Sequence, residues 1–169
     1  MKPAVKYGLL NGGVAVAWSL LMYVTELNRS TSATWVNIIS LVFPIMFMVM
    51  TINEYKATEG GGWITFGKAF GQAFKVGVIG GVIAIAFYYV YISAIDPAFI
   101  EFQKQMQMDK MAERGMSEEQ IEMGIKQASF FMQPWMQAIF GMIFSLFISA
   151  VLALIVAAVK KHPNPEEIA

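Results

Sequence analysis

Four stretches of this chain, Tyr7 to Thr25, Trp35 to Ile52, Val76 to Ile95 and Trp135 to Val159, contain no Asp, Glu, Lys, Arg or His. Each is close to the roughly 17–25 apolar residues that a helix needs to cross about 30 Å of hydrocarbon. In lipid no water replaces a missing backbone hydrogen bond, so a spanning segment must be a helix or part of a closed barrel. The alternation of barrel strands is missing. The expected fold is therefore all-α: an integral membrane four-helix bundle forming a single membrane domain over residues 1–169, with spans at about 4–27, 34–53, 72–95 and 134–160. The composition agrees, at 57% hydrophobic and 14% charged residues, against roughly 45–50% and 25% in soluble domains.

The opening Met1-Lys2-Pro3-Ala4-Val5-Lys6 before an apolar run has the look of a secretory leader. The run is longer than a typical leader core, and Tyr23-Val24-Thr25-Glu26-Leu27 offers no small-residue cleavage site, so the first span is expected to be retained. Short cytoplasmic loops accumulate Lys and Arg. With both termini inside, the inner segments carry Lys2, Lys6, Lys56, Lys68, Lys75, Lys160 and Lys161. The outer ones carry Arg29, Lys104, Lys110, Arg114 and Lys126, the last four in one long loop that also holds seven acids. Both ends are therefore expected in the cytoplasm. The 12 basic and 12 acidic residues balance, so nothing points to nucleic acid, and without cysteine there is no thiol chemistry or disulfide.

Two polar segments carry local signals. Residues 96–133 form a helical extramembrane loop between spans 3 and 4: Pro97 can open a helix, and Ser117 with Gln120 matches a capping box. Gly115 separates the two stretches, and Ile121, Ile125, Ala128 and Met132 recur at helical spacing, which suits a hairpin lying on the outer membrane surface. Before span 3, Gly60-Gly61-Gly62 frees the backbone, while Trp63, Phe66 and Phe70 suit the headgroup level. An interfacial helix is expected there.

Membrane helices associate by close packing, which small residues permit. Gly8 and Gly12, Gly67 and Gly71, and Gly77 and Gly81 form GxxxG pairs, and Gly141, Ser145, Ser149, Ala153 and Ala157 run four apart down the last span as a packing seam. Such a seam serves contact within the chain or with a second copy. Lys6-Tyr7-Gly8 with the following Gly12-Gly13 also resembles Lys75-Val76-Gly77 with Gly80-Gly81, which leaves open a parallel repeat of two hairpins or chance apolar similarity. Pro44, inside span 2, removes a helical hydrogen bond and introduces a kink or a hinge.

Catalytic and cofactor motifs fare poorly. Gly62-Trp63-Ile64-Thr65-Phe66-Gly67-Lys68-Ala69 approaches a phosphate-binding loop, but Ala69 lacks the Mg²⁺-binding hydroxyl and no strand precedes it. His162 beside Lys160 and Lys161 reads as a solvated helix end, and Met106, Met108 and Met111 as packing rather than a copper site. No ionisable group lies at mid-span, where transporters typically place theirs. No catalytic residue, cofactor or metal ligand is assigned. The remaining interaction candidates are Glu54, Tyr55, Lys56, Glu59 and Trp63 near the inner surface, and Asp96 at the outer one.

Three elements, Lys6-Tyr7-Gly8, Gly61-Gly62-Trp63-Ile64-Thr65-Phe66-Gly67-Lys68-Ala69-Phe70 and Ile95-Asp96-Pro97-Ala98-Phe99, occur in an order that resembles a family of bacterial inner-membrane proteins, DUF4199, found chiefly in Bacteroidetes. The resemblance covers nearly the whole chain. It implies four spans in the bacterial inner membrane, and it supplies no activity and no catalytic residue. The expected role is a non-enzymatic accessory or assembly subunit, in contact with membrane lipids and with a membrane-protein partner or a second copy. The alternatives are a small transporter or channel, and a lipid-headgroup enzyme. Reporters fused to the two termini should both be active on the cytoplasmic side; activity in opposite compartments would refute the four-span topology.

Overall fold

The computed structural model describes residues 1–29 and 34–164, with the backbone alone at 34–37. Six α-helices follow one another: α1 (Pro3–Val24), α2 (Thr34–Thr58), α3 (Phe66–Val90), α4 (Ala98–Glu113), α5 (Glu118–Ala128) and α6 (Pro134–Lys160). A short 3₁₀ turn, Leu27–Arg29, follows α1, and a π turn, Tyr91–Ile95, extends α3. Among the described residues there is no strand, only one isolated antiparallel bridge between Ile64 and His162. Among the described residues four helices are long and apolar enough to cross a membrane, over Pro3–Val24, Ile38–Thr58, Phe66–Ile95 and Pro134–Lys160.

Helices run past the charge-free stretches because their backbone bonds stay internal wherever the bilayer ends. Thus α2 carries Glu54 and Lys56, and α3 carries Lys68 and Lys75, on ordered turns. No separate helix precedes span 3: the segment where an interfacial helix was expected forms the opening turns of α3, continuous with the span. Pro44 lies inside α2, which is helical on both sides of it.

Residues 1–84 and 142–169 form one compact unit, and residues 85–141 a second. In the first unit, the start of α1, the end of α2, the start of α3 and the end of α6 meet at one end, here called the terminal end. The core lies there: Ala4 and Tyr7 from α1, Phe47, Met48 and Ile52 from α2, Ile64 from the α2–α3 turn, Ala69, Ala73 and Val76 from α3, and Ala153, Val156 and Ala157 from α6. Five of these twelve are alanines, which let the helix axes approach closely. Along α1 and α2 the contact continues with aromatic side chains, Tyr7 against Phe47 at 6.2 Å and Trp18 edge-on to Phe43 at 5.4 Å.

Two glycine seams organise α3. A Cβ added to Gly8 or Gly12 of α1 would come within 2.7 Å of the Cβ of Ile79 or Ile83, respectively. On α3 itself, a Cβ at Gly80 would run into the Asn11 amide, one at Gly77 into the Ser149 side chain, and one at Gly81 would lie 2.5 Å from the Ser145 hydroxyl. Positions two apart on a helix point about 200° apart. Helix α3 therefore packs α1 with one face and α6 with the other. The paired glycines of α1 and α3 meet different neighbours, so the resemblance between those segments has no counterpart in these contacts. Gly67 and Gly71, the third GxxxG pair, have open space at their Cβ positions.

Outward faces are strongly apolar. Val24, Ile38, Val42, Ile143, Phe144, Phe147, Ile155 and Val159 are all more than half exposed, whereas a soluble monomer rarely shows apolar patches beyond a few hundred Å². Lipid is the solvent that suits such a surface.

In the second unit the α4–α5 turn follows its sequence signals. The Gln120 N–H donates to Ser117 Oγ at 3.3 Å and the Ser117 N–H donates to Gln120 Oε1 at 2.9 Å, the reciprocal capping box. Gly115 takes φ +77° at the break, and the Met111 methyl group fills the space beside Gly124. Helix α5 has no buried residue.

Adjacent glycines of α1 provide a direct test of the seam. Gly12→Ala forces a methyl against the stiff β-branched Ile83 and should cost about 1–3 kcal/mol by overpacking, whereas Gly13→Ala, with nothing near its Cβ, should stabilise by about 0.5–1 kcal/mol through helix propensity. Unfolding in detergent measures both; equal effects would refute the seam.

Candidate functional site

The terminal end concentrates the polar chemistry of the first unit. From α1, Lys6 reaches Glu54 of α2, Nζ to Oε2 at 2.7 Å, and the Tyr7 hydroxyl donates to the same oxygen at 2.7 Å. Tyr7 is buried while Lys6 and Glu54 are partly open. One carboxylate oxygen thus ties two consecutive α1 residues to the last turns of α2. Its role is to join helices.

The α2–α3 turn is built by backbone bonds. The N–H groups of Glu59 and Gly60 both donate to the Tyr55 carbonyl at 2.9 Å, and that of Gly62 donates to the Lys56 carbonyl at 2.8 Å, which satisfies the carbonyls left open at the end of α2. Gly61 and Gly62, with φ +57° and +93°, supply the left-handed backbone this needs. Chain direction then reverses into α3, where the Lys68 N–H donates to the Thr65 hydroxyl oxygen at 3.5 Å as an N-terminal cap.

The segment after α6 is fastened to this turn. Ile64 and His162 exchange both backbone hydrogen bonds at 2.8 Å, and the His162 ring stacks on Trp63 at 4.5 Å with an 18° tilt. The Lys56 ammonium donates to the Lys160 carbonyl at 3.4 Å, where the negative end of the α6 dipole favours a cation. Beside the bridge is a cavity of about 150 Å³, lined by Tyr55, Glu59, Gly60, Trp63, Ile64, Thr65, Lys68 and Asn164.

The residues singled out from the sequence therefore divide. Tyr55, Glu59 and Trp63 line the cavity together. Glu54 and Lys56 lie nearby and are occupied, one by Lys6 and Tyr7, the other by the end of α6. Asp96 belongs to the second unit. It is only 5% exposed and accepts a hydrogen bond from the Tyr91 hydroxyl at 2.9 Å, so this carboxylate is a buried group rather than a surface charge. In the same unit the Tyr88 hydroxyl donates to Gln137 Oε1 at 2.7 Å and accepts from Gln103 Nε2 at 3.3 Å. Of the α6 stripe, Ser145 and Ser149 stand opposite Gly81 and Gly77, Ala153 and Ala157 are fully buried, and Gly141 faces Ile85.

His162 corrects the sequence reading: it is exposed, yet it clamps the turn through its ring and its backbone. Sequence reasoning also missed Lys68, Thr65 and Asn164 as cavity walls, and Lys6 and Tyr7 as partners of Glu54. A positive pair at the head of span 1 and an acid at the foot of span 2, in helices that must run antiparallel, was the available signal. Among the described residues no group of three or more His, Asp or Glu side chains could hold a metal ion.

The family model described as "Protein of unknown function (DUF4199)" matches residues 6–162. No curated protein and no solved structure matches the chain.

If Glu54 is the shared anchor, Glu54→Ala should lower the melting temperature in detergent more than Lys6→Ala or Tyr7→Phe alone. The Lys6→Ala/Glu54→Ala double variant should melt close to Glu54→Ala, because Lys6 has already lost its partner. Strictly additive shifts in this cycle would show that the contact is not coupled.

Proposed function

Because the chain belongs to the DUF4199 family, whose function is unknown, we propose from its own geometry that it is a non-enzymatic accessory or assembly subunit of a complex in the bacterial inner membrane, with both termini cytoplasmic. The observation that carries this reading is the contrast between a closely packed first unit and a second unit whose hairpin helices bury nothing. In the first unit the helix seams are filled at contact distance by Ile79, Ile83, Ser145, Ser149 and Asn11, which closes the α1–α3 and α3–α6 contacts. The Asn11 amide, near the middle of α1, lies against Gly80, and the ionisable pair Lys6 and Glu54 satisfies itself at the helix ends.

The second unit is the opposite. The chain spends residues 98–128 on two helices with no buried residue, the second opened by a capping box. Ordering such a hairpin costs conformational entropy that its own packing does little to offset. A surface of this kind fits a protein that holds a neighbour, and Met123, 56% exposed on α5, is its most open apolar side chain.

Purification from native membranes in mild detergent should recover one membrane protein at a fixed ratio, and Met123→Glu should reduce that recovery without changing the melting temperature. Repeated recovery of the chain alone, or solute flux through reconstituted vesicles, would replace this reading with the transporter one.

A further inference from the structure

At the terminal end the fold itself uses the side chains of Lys6, Glu54 and Lys56, while those of Glu59 and Lys68 stand outside these contacts. Glu54 is held by Lys6 and Tyr7, and Lys56 by the Lys160 carbonyl. Among the described residues, neither the Lys68 ammonium nor the Glu59 carboxylate has a hydrogen bond or ion pair, with each other or with any other group. Both are exposed and both line the 150 Å³ cavity, one from the first turn of α3 and one from just beyond the last turn of α2. A cation and an anion that share a cavity without pairing are arranged for a ligand carrying both charges.

The location says which kind. The cavity lies where two apolar spans end, at Thr58 and Phe66, and the Phe66 ring beside it is 42% exposed to the surroundings that solvate the apolar helix faces. Trp63 on its wall is the residue type that favours the headgroup level. A space of about 150 Å³ suits a small headgroup rather than acyl chains. Those chains would remain in the bilayer along the exposed apolar surface.

We infer that this cavity seats the phosphoethanolamine headgroup of a phospholipid, with Lys68 on the phosphate and Glu59 on the ammonium. The Thr65 oxygen already accepts the Lys68 N–H, which leaves its O–H to donate to a phosphate oxygen. A carboxylate accepts hydrogen bonds from a primary ammonium, whereas a quaternary one has no proton to give and is recognised by aromatic faces. Here one face of Trp63 is taken by His162. An anionic glycerol headgroup would leave Glu59 unpaired. The site stands independently of the subunit reading.

The full chain, reconstituted in vesicles with equal amounts of phosphatidylethanolamine, phosphatidylcholine and phosphatidylglycerol of matched acyl chains, is extracted gently, and the retained lipid is counted by native mass spectrometry. Wild type should retain the ethanolamine lipid about tenfold over either other, the scale of one charge-assisted hydrogen bond. Glu59→Gln should bring it down to the choline lipid's level, and Lys68→Gln should lower both. Equal retention of the three lipids by wild type, or a ranking that neither variant changes, overturns the proposal. Free phosphoethanolamine added in detergent should give no thermal shift at concentrations where the lipid does; an equal shift would make the ligand a soluble zwitterion and overturn the lipid assignment.

Discussion

Attraction between helices in a bilayer has to come from contact, since lipid tails solvate an apolar side chain as well as another helix does. That constraint explains why α3 carries glycine on one face and receives glycine on the other. Gly77 and Gly81 accept Ser149 and Ser145, while Ile79 and Ile83 enter the space above Gly8 and Gly12. Bulky side chains on one helix meet bare backbone on the next, and the alanines of the terminal-end core continue the same pattern. The large apolar residues are thereby released to the outside, where Phe144 and Phe147 stand 64% exposed.

With the helices drawn this close, the terminal end becomes crowded enough to sort its charges. Lys6, Tyr7 and Glu54 are brought together from two helices, and Lys56 is drawn to the end of a third. Glu59 and Lys68, which these contacts do not use, are left at the rim of the turn. Structure and binding thus divide one set of ionisable residues between them.

Much of the architecture was legible in the sequence because the bilayer imposes so few alternatives. Length and the absence of charge identify the four long helices, and Ser117, Gln120 and Gly115 mark the α4–α5 turn by local chemistry alone. What could not be read depends on which residues meet across long separations. Nothing local joins Lys6 to Glu54, or His162 to Ile64 and Trp63. The π turn at Tyr91–Ile95 was equally hidden, since it is a register change within an apolar run. It brings Asp96 to the Tyr91 hydroxyl, which is why a carboxylate that looked superficial is buried. The candidate cavity was half visible: Tyr55, Glu59 and Trp63 are neighbours in sequence, but Asn164 comes from the other end of the chain.

The bridge between Ile64 and His162 also sets an order of events during synthesis. Residue 162 leaves the ribosome after all four of these helices, so the turn after α2 must wait, glycine-rich and lacking its Asn164 wall, until α6 is threaded. Only then can the ring of His162 settle on Trp63 and Asn164 complete the wall. A chain halted before α6 would display the turn without its clasp, so completion of the site reports that all four of these helices are in place.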